Sequence, residues 1–153
     1  MANTYIQIYL HIVFAVKNRD ALISKYQEGQ IHSYMASVIN NLGHKAIIIG
    51  GTDDHVHMLI SFNPVGMLPD LIKELKTSTT KFINSHRLCP FKFEWQRGYA
   101  CFSYSHSLVD KVFRYIQNQR AHHTSESLAD EMRKMLDGFG MSYDSKYLFE
   151  SPA

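Results

Sequence analysis

His55-Val56-His57 and Tyr115 with Gln119 are the parts of this sequence whose residue types and spacing could do chemistry. In an extended strand, residues two apart point the same way. At a rise of ~3.3 Å per residue their Cβ atoms stand ~6.5–7 Å apart, so two imidazoles can converge on one divalent ion. Tyr115 and Gln119 are four apart, which makes them neighbours on one face of a helix. The Gln119 amide oxygen could complete a three-ligand site that leaves positions open for phosphate oxygens. A metal held there would act as a Lewis acid on a scissile phosphate. The Tyr115 phenol, with an ordinary pKa of about 10, is a poor nucleophile until a metal favours its phenolate. Its attack would store the phosphodiester bond as a phosphotyrosine, ready for rejoining without ATP. Each pair also has an ordinary reading: polar residues on a solvated strand face, and a tyrosine at the margin of an apolar stripe. Spacing alone leaves both open.

The elements that must position these residues follow from periodicity. Ile6, Ile8, Leu10, Ile12, Phe14 and Val16 alternate with Tyr5, Gln7, Tyr9 and His11, the pattern of a half-buried strand. Ile31, Met35, Val38 and Leu42 mark a helix with Gly43 at its C-terminus. Lys45 to Gly50 and His55 to Phe62 read as two strands around a Gly-Thr-Asp turn. Leu68, Leu71, Ile72, Leu75, Thr79, Phe82 and Ile83 form a second helical stripe. Phe91 to Ser105 reads as strand, turn and strand, broken around Arg97-Gly98. Ser107, with Asp110 three residues on, predicts a capped helix running to about His122. Leu128, Met132, Met135, Leu136 and Phe139 predict a last amphipathic helix. The order β-α-β-β-α-β followed by helices implies an α+β fold. It is a ferredoxin-like split βαβ antiparallel sheet with helices packed on one face, plus the catalytic and C-terminal helices. The other face is expected to be free for chemistry or a partner.

The 153 residues, 45% hydrophobic and 20% charged, suit a single domain spanning 1–153 with a proper core. No apolar run is long enough to span a membrane, and the first residues lack an export pattern, so a cytoplasmic protein is expected. Two cysteines are too few for a disulfide framework or a thiolate zinc site. A net charge of +2 permits nucleic acid without demanding it. Lys17, Arg19, Lys73, Lys76 and Arg97 could neutralise phosphates, although lysines on a polar helix face are by default solvated charges. Tyr9 and Tyr99 could stack on unpaired bases.

Rival chemistries fail on particular residues. A histidine-triad hydrolase needs a histidine where Leu59 stands. A two-histidine phosphoesterase needs a second His-x-Ser/Thr strand, which His106-Ser107-Leu108 and His32-Ser33-Tyr34 do not supply. A zinc protease needs His-Glu-x-x-His, which does not occur. A non-catalytic nucleic-acid-binding module would carry aromatic residues at mid-strand, where this sequence has histidines.

Taken together, His55-Val56-His57, the Tyr115-x-x-x-Gln119 helix, His11 to Arg19, Trp95 to Tyr99, Tyr115 to His123, and Tyr143, Asp144 and Tyr147 carry a resemblance. The chain resembles the HUH single-tyrosine transposases of the insertion-sequence 200/605 group, including REP-associated tyrosine transposase-like domains. The match covers nearly the whole chain. The resemblance implies that Tyr115 attacks single-stranded DNA at hairpin-marked ends, giving a 5′-phosphotyrosine and a free 3′-OH. It implies that His55, His57 and Gln119 bind Mg²⁺ or Mn²⁺. It further implies a homodimer in which the tyrosine helix of one subunit completes the histidine site of the other. A domesticated relative that processes chromosomal repeats would carry the same residues.

Overall fold

A computed structural model describes residues 2–122 and 126–144; Tyr147 and His123, which contributed to the resemblance, lie outside them. Four strands form one antiparallel sheet in the order β2-β3-β1-β4: β1 (Tyr9–Ala15), β2 (Lys45–Gly51), β3 (His55–Ser61) and β4 (Ala100–Tyr104). The central strands β1 and β3 pair in the register Val13 to His57 and Ala15 to His55. On one face Ile12, Phe14, Val56, Met58 and Ile60 pack against α1 (Glu28–Asn41) and α2 (Leu68–Ser85). This is the α+β arrangement that the strand and helix periods predict.

The second face is not free. Val13, Ala15 and Phe102 are buried beneath Leu128, Met132 and Leu136 of α5 (Leu128–Gly138). Leu59 is buried beneath Val112 and Ile116 of α3 (Val109–Gln117). The apolar stripes of α3 and α5 need a surface to bury, and the sheet supplies it. Helices therefore cover both faces, and His11, His55 and His57 lie in the second interface, each fully buried.

Three local expectations change. The first strand begins at Tyr9, because Tyr9 already pairs with the last residues of β3 and β4; Ile6 lies beyond any partner and is exposed. Phe91 to Tyr99 forms no regular strand and keeps a single bridge, Val16 to Trp95. Its backbone is satisfied instead by the Asn84 side chain, which accepts from Phe93 N–H at 2.8 Å and donates to the Phe93 carbonyl at 3.1 Å. Ser107 does not cap α3. It sits in a short 3₁₀ turn (His106–Leu108) with its hydroxyl on that of Ser105, and no side chain caps α3.

α3 approaches β2 closely at Gly50, where a Cβ would collide with the carbonyl of Ile116, the residue after Tyr115. Glycine there lets the tyrosine helix lie directly on the sheet. Gly50→Ala should destabilise the chain by about 1–3 kcal/mol, as overpacking does, and should be read as a lower midpoint in urea. An unchanged midpoint would mean that α3 does not dock this closely.

Candidate metal centre and active site

β3 places His55 and His57 on the face covered by α3 and α5, because both residues share one side of the pleat. The tyrosine helix is interrupted. α3 ends at Gln117, Asn118 turns with φ −98° and ψ 18°, and a single helical turn, α4 (Gln119–His122), follows. Tyr115 and Gln119 nonetheless point to one place. Gln119 Oε1 lies 3.3 Å from His55 Nε2, and both side chains are buried. The Arg120 guanidinium ties α4 down, donating to Asp53 at 2.6 Å and pairing with Glu28 at 2.9 Å.

A fourth polar residue, Glu131 of α5, stands at the centre of this group. Its Oε1 is 3.0 Å from His57 Nε2 and 3.9 Å from His55 Nε2. Its Oε2 accepts from Gln119 Nε2 at 3.0 Å and from the Tyr115 hydroxyl. Neither the His55-x-His57 nor the Tyr115-x-x-x-Gln119 spacing points to it. The signal was available: Glu131 falls between Leu128 and Met135 on the apolar stripe of its helix, three and four residues away. A carboxylate in that position is buried, and a buried carboxylate needs partners.

The histidines are oriented from behind, as metal-binding imidazoles are. His55 Nδ1 stands 2.7 Å from Asp54 Oδ1. Burial alone would raise the Asp54 pKa, but hydrogen bonds and charge from His55, with Thr52 and Arg19, hold it below the usual carboxylate range. Asp54 therefore accepts, His55 Nδ1 carries the hydrogen, and His55 Nε2 presents its lone pair. His57 Nδ1 lies 2.7 Å from His11 Nε2. Burial, with the neighbouring His57, holds the His11 pKa well below its ordinary value, and His11 Nδ1 has no hydrogen-bond partner. The hydrogen between the two rings can sit on either nitrogen. With it on His57 Nδ1, His57 Nε2 presents a lone pair to a cation; with it on His11 Nε2, His57 Nε2 donates to Glu131. His11 was visible in the sequence only as one more polar residue on its strand.

Two imidazole nitrogens, an amide oxygen and a carboxylate oxygen thus face one another in a buried interior. Acceptors at such distances repel unless a cation or proton lies among them. Donors on adjacent octahedral positions around Mg²⁺, each at about 2.1 Å, stand about 3 Å apart, close to the 3.0 and 3.3 Å separations here. Among the described residues, His55, His57 and Glu131 offer ligand atoms within 4.8 Å of one another. The mixed nitrogen and oxygen donor set fits a divalent ion, with Gln119 beside it. Burial and the Glu131 carboxylate push the Tyr115 pKa far above its ordinary value, so the phenol is protonated and donates to Glu131.

The remaining sequence candidates are placed elsewhere. Lys17 pairs with Glu94 at 3.0 Å, and Arg19 is 9% exposed, 3.8 Å from Asp54. Lys76 donates to the carbonyls of Gln96 and Gly98 at 2.9 and 2.8 Å, and burial lowers its pKa to about 8. It braces the loop that carries Arg97. Lys73 and Arg97 are exposed. Tyr9 is half-buried against Leu59, while Tyr99 is exposed.

Known proteins share this architecture. Residues 4–119 match the family described as "Transposase IS200 like". The ISDra2 transposase TnpA of Deinococcus radiodurans is 24% identical over 119 residues, 74% of this chain and 84% of the relative. A Deinococcus radiodurans crystal structure assigned as a transposase superposes with a TM-score of 0.61 at 21% identity, over 78% of this chain and 96% of the other. A REP-associated tyrosine transposase bound to a REP hairpin superposes with a TM-score of 0.59 at 13% identity, over 80% and 73%. Both likenesses are of fold. The family match stops at Gln119, so Glu131 is contributed by a segment outside it.

Removing the support behind the histidines should weaken the metal. In calorimetric titration of the full chain with Mn²⁺, His11→Ala should lower affinity about 10–100-fold, the usual cost of losing an outer-shell partner. Glu131→Gln should lower it as well. Wild-type affinity in both variants would remove them from the centre.

Proposed function

Given that the chain belongs to the IS200-like transposase family, we propose that it cleaves and rejoins single-stranded DNA through a 5′-phosphotyrosine on Tyr115. The observation that carries this reading is the contact of Tyr115 with Glu131, whose other oxygen lies 3.0 Å from His57 Nε2. The nucleophile and the divalent-cation site would share one carboxylate. Glu131 accepts the phenolic proton as the Tyr115 oxygen bonds to phosphorus. The P–O3′ bond breaks, and the departing 3′ oxygen takes up a proton to become a free hydroxyl. Religation runs the same steps backwards, with a 3′-OH as attacking group. His55, His57, Gln119 and Glu131 would hold the divalent ion, Mg²⁺ or Mn²⁺. When bound, such an ion neutralises charge developing on the phosphate and aligns its oxygens.

DNA hairpins as the recognised shape are supported by the fold relative described with a REP hairpin. Lys73 and Arg97 are exposed cations available to phosphates. No described helix is long and apolar enough to cross a membrane, and work on DNA in the cytoplasm accords with that. The resemblance implies a homodimer with shared sites, while in one chain the four groups already meet. Those contacts support a site completed within each subunit.

The test is incubation with single-stranded DNA spanning the gene's own flanks, followed by a denaturing gel. Wild type with Mg²⁺ should form a covalent adduct. EDTA should abolish it, Mn²⁺ should restore it, and Tyr115→Phe should bind hairpin DNA without forming it. An adduct persisting in Tyr115→Phe would displace Tyr115 as nucleophile. Mixing Tyr115→Phe chains with His57→Ala chains should restore nothing. Recovery of adduct would instead mean that α3 passes between the subunits of a dimer.

A further inference from the structure

Between α3 and α5, opening directly beside Tyr115, lies a cavity of about 390 Å³. Tyr104, Leu108, Val112 and Met135 line it, as do Lys111, Tyr115 and the Glu126 and Glu131 carboxylates, both of which have cationic or hydrogen-bonding partners. That volume is within the range of about 300–1,000 Å³ typical of small-molecule sites, enough for one nucleoside and too small for a duplex. Lys111 and Tyr115 are four residues apart, so they lie on the same face of α3. The neighbouring cations are paired: Lys134 with Glu126 at 2.5 Å, Arg133 with Asp130 at 2.8 Å and Arg120 with Asp53. Lys111 is exposed and makes no ion pair with a described residue.

We infer that this cavity is a nucleoside subsite that seats the nucleoside bonded to the scissile phosphate, with Lys111 on a phosphate oxygen. The inference rests on Tyr115 being the nucleophile. If its oxygen bonds to phosphorus, the attached nucleoside must lie within one phosphate's reach of the phenol, and this recess shares Tyr115 as a wall. Tyr104 offers an aromatic surface for a base, and Leu108 and Met135 offer apolar contact, a combination tolerant of base identity. The cation beside them meets the one charge that every nucleotide brings. The subsite would hold the strand at the phosphate to be cut, independently of any hairpin recognised elsewhere.

The experiment uses the full chain with Mg²⁺ and the flanking single-stranded DNA, once the cut phosphate has been mapped with wild type. An abasic residue placed immediately 5′ or immediately 3′ of that phosphate should lower adduct formation about tenfold on one side only, which identifies the seated nucleoside. Met135→Trp fills the cavity, and Lys111→Ala removes the cation at an exposed position that folding does not need. Each should raise the half-saturating DNA concentration about tenfold while leaving Mn²⁺ affinity unchanged. The abasic defect should largely vanish in Met135→Trp, because both changes remove the same contact. Tolerance of both abasic positions, or wild-type half-saturation in Lys111→Ala, overturns the subsite while leaving Tyr115 chemistry intact. Absence of any wild-type adduct overturns the Tyr115 reading itself. The cavity is then tested by fluorescence anisotropy with fluorescein-labelled decathymidylate, and equal binding by wild type and Met135→Trp overturns it too.

Discussion

Two imidazole nitrogens, an amide oxygen and a carboxylate oxygen packed together in a dry interior need a proton or a cation among them, and the second face of this sheet is arranged around that constraint. His55 Nε2, His57 Nε2, Gln119 Oε1 and Glu131 Oε1 converge where α3, α4 and α5 close over β3. The two imidazoles are fixed from behind, one by the Asp54 carboxylate and one by His11. Their ring orientation therefore does not depend on a bound ion. Burial of unpaired charge costs several kcal/mol per ion, so Glu131 is tolerable only because so many partners surround it. Tyr115 is one of those partners, so the proposed nucleophile and the candidate cation site share one network.

Rigidity around this centre comes from backbone approach and from bracing charges. Gly50 admits α3 to the surface of β2, and the turn at Asn118 redirects the chain so that Gln119 reaches His55. Arg120, adjacent to Gln119, is bonded to Asp53 two residues before His55 and to Glu28 of α1. Gln119 on α4 and His55 on β3 are thereby referenced to one another through the planar Arg120 guanidinium, which holds geometry better than a flexible lysine would. On the opposite side, Lys76 fixes the Gln96 and Gly98 carbonyls, so a residue that resembles a DNA contact in the sequence acts as a structural brace.

Glu131 lies on α5, beyond residues 4–119 that match the family. α5 is laid across β1 and β4 by Leu128, Met132 and Leu136, and the same helix delivers the carboxylate. Packing and the candidate site are thus coupled: a change that loosens α5 also withdraws the Glu131 carboxylate from His57 and from the Tyr115 hydroxyl. The cavity beside Tyr115 is bounded by α3 and α5, so its shape depends on the same contact.

What the sequence by itself determined is what depends on local period. The alternation through β3 put His55 and His57 on one face, the 3.6-residue stripes located α1, α2, α3 and α5, and the strand and helix order required an antiparallel sheet with split βαβ connections. The i, i+4 spacing paired Tyr115 with Gln119, and the pairing survives the interruption at Asn118. Only the tertiary structure decided which surfaces meet. A period says that a stripe must be buried but not against what, so the covering of the second face by α3 and α5 was not legible. Nor were the partnership of His11 with His57 across neighbouring strands, the role of Lys76 and the arrival of Glu131 from the last helix. The polar partnerships among these join residues 20 to 76 positions apart in sequence, except Glu131 with Gln119 and Tyr115, which are 12 and 16 apart. Spacing along the chain carries no signal at such separations, whereas burial of a charged or polar group forces the fold to bring partners to it.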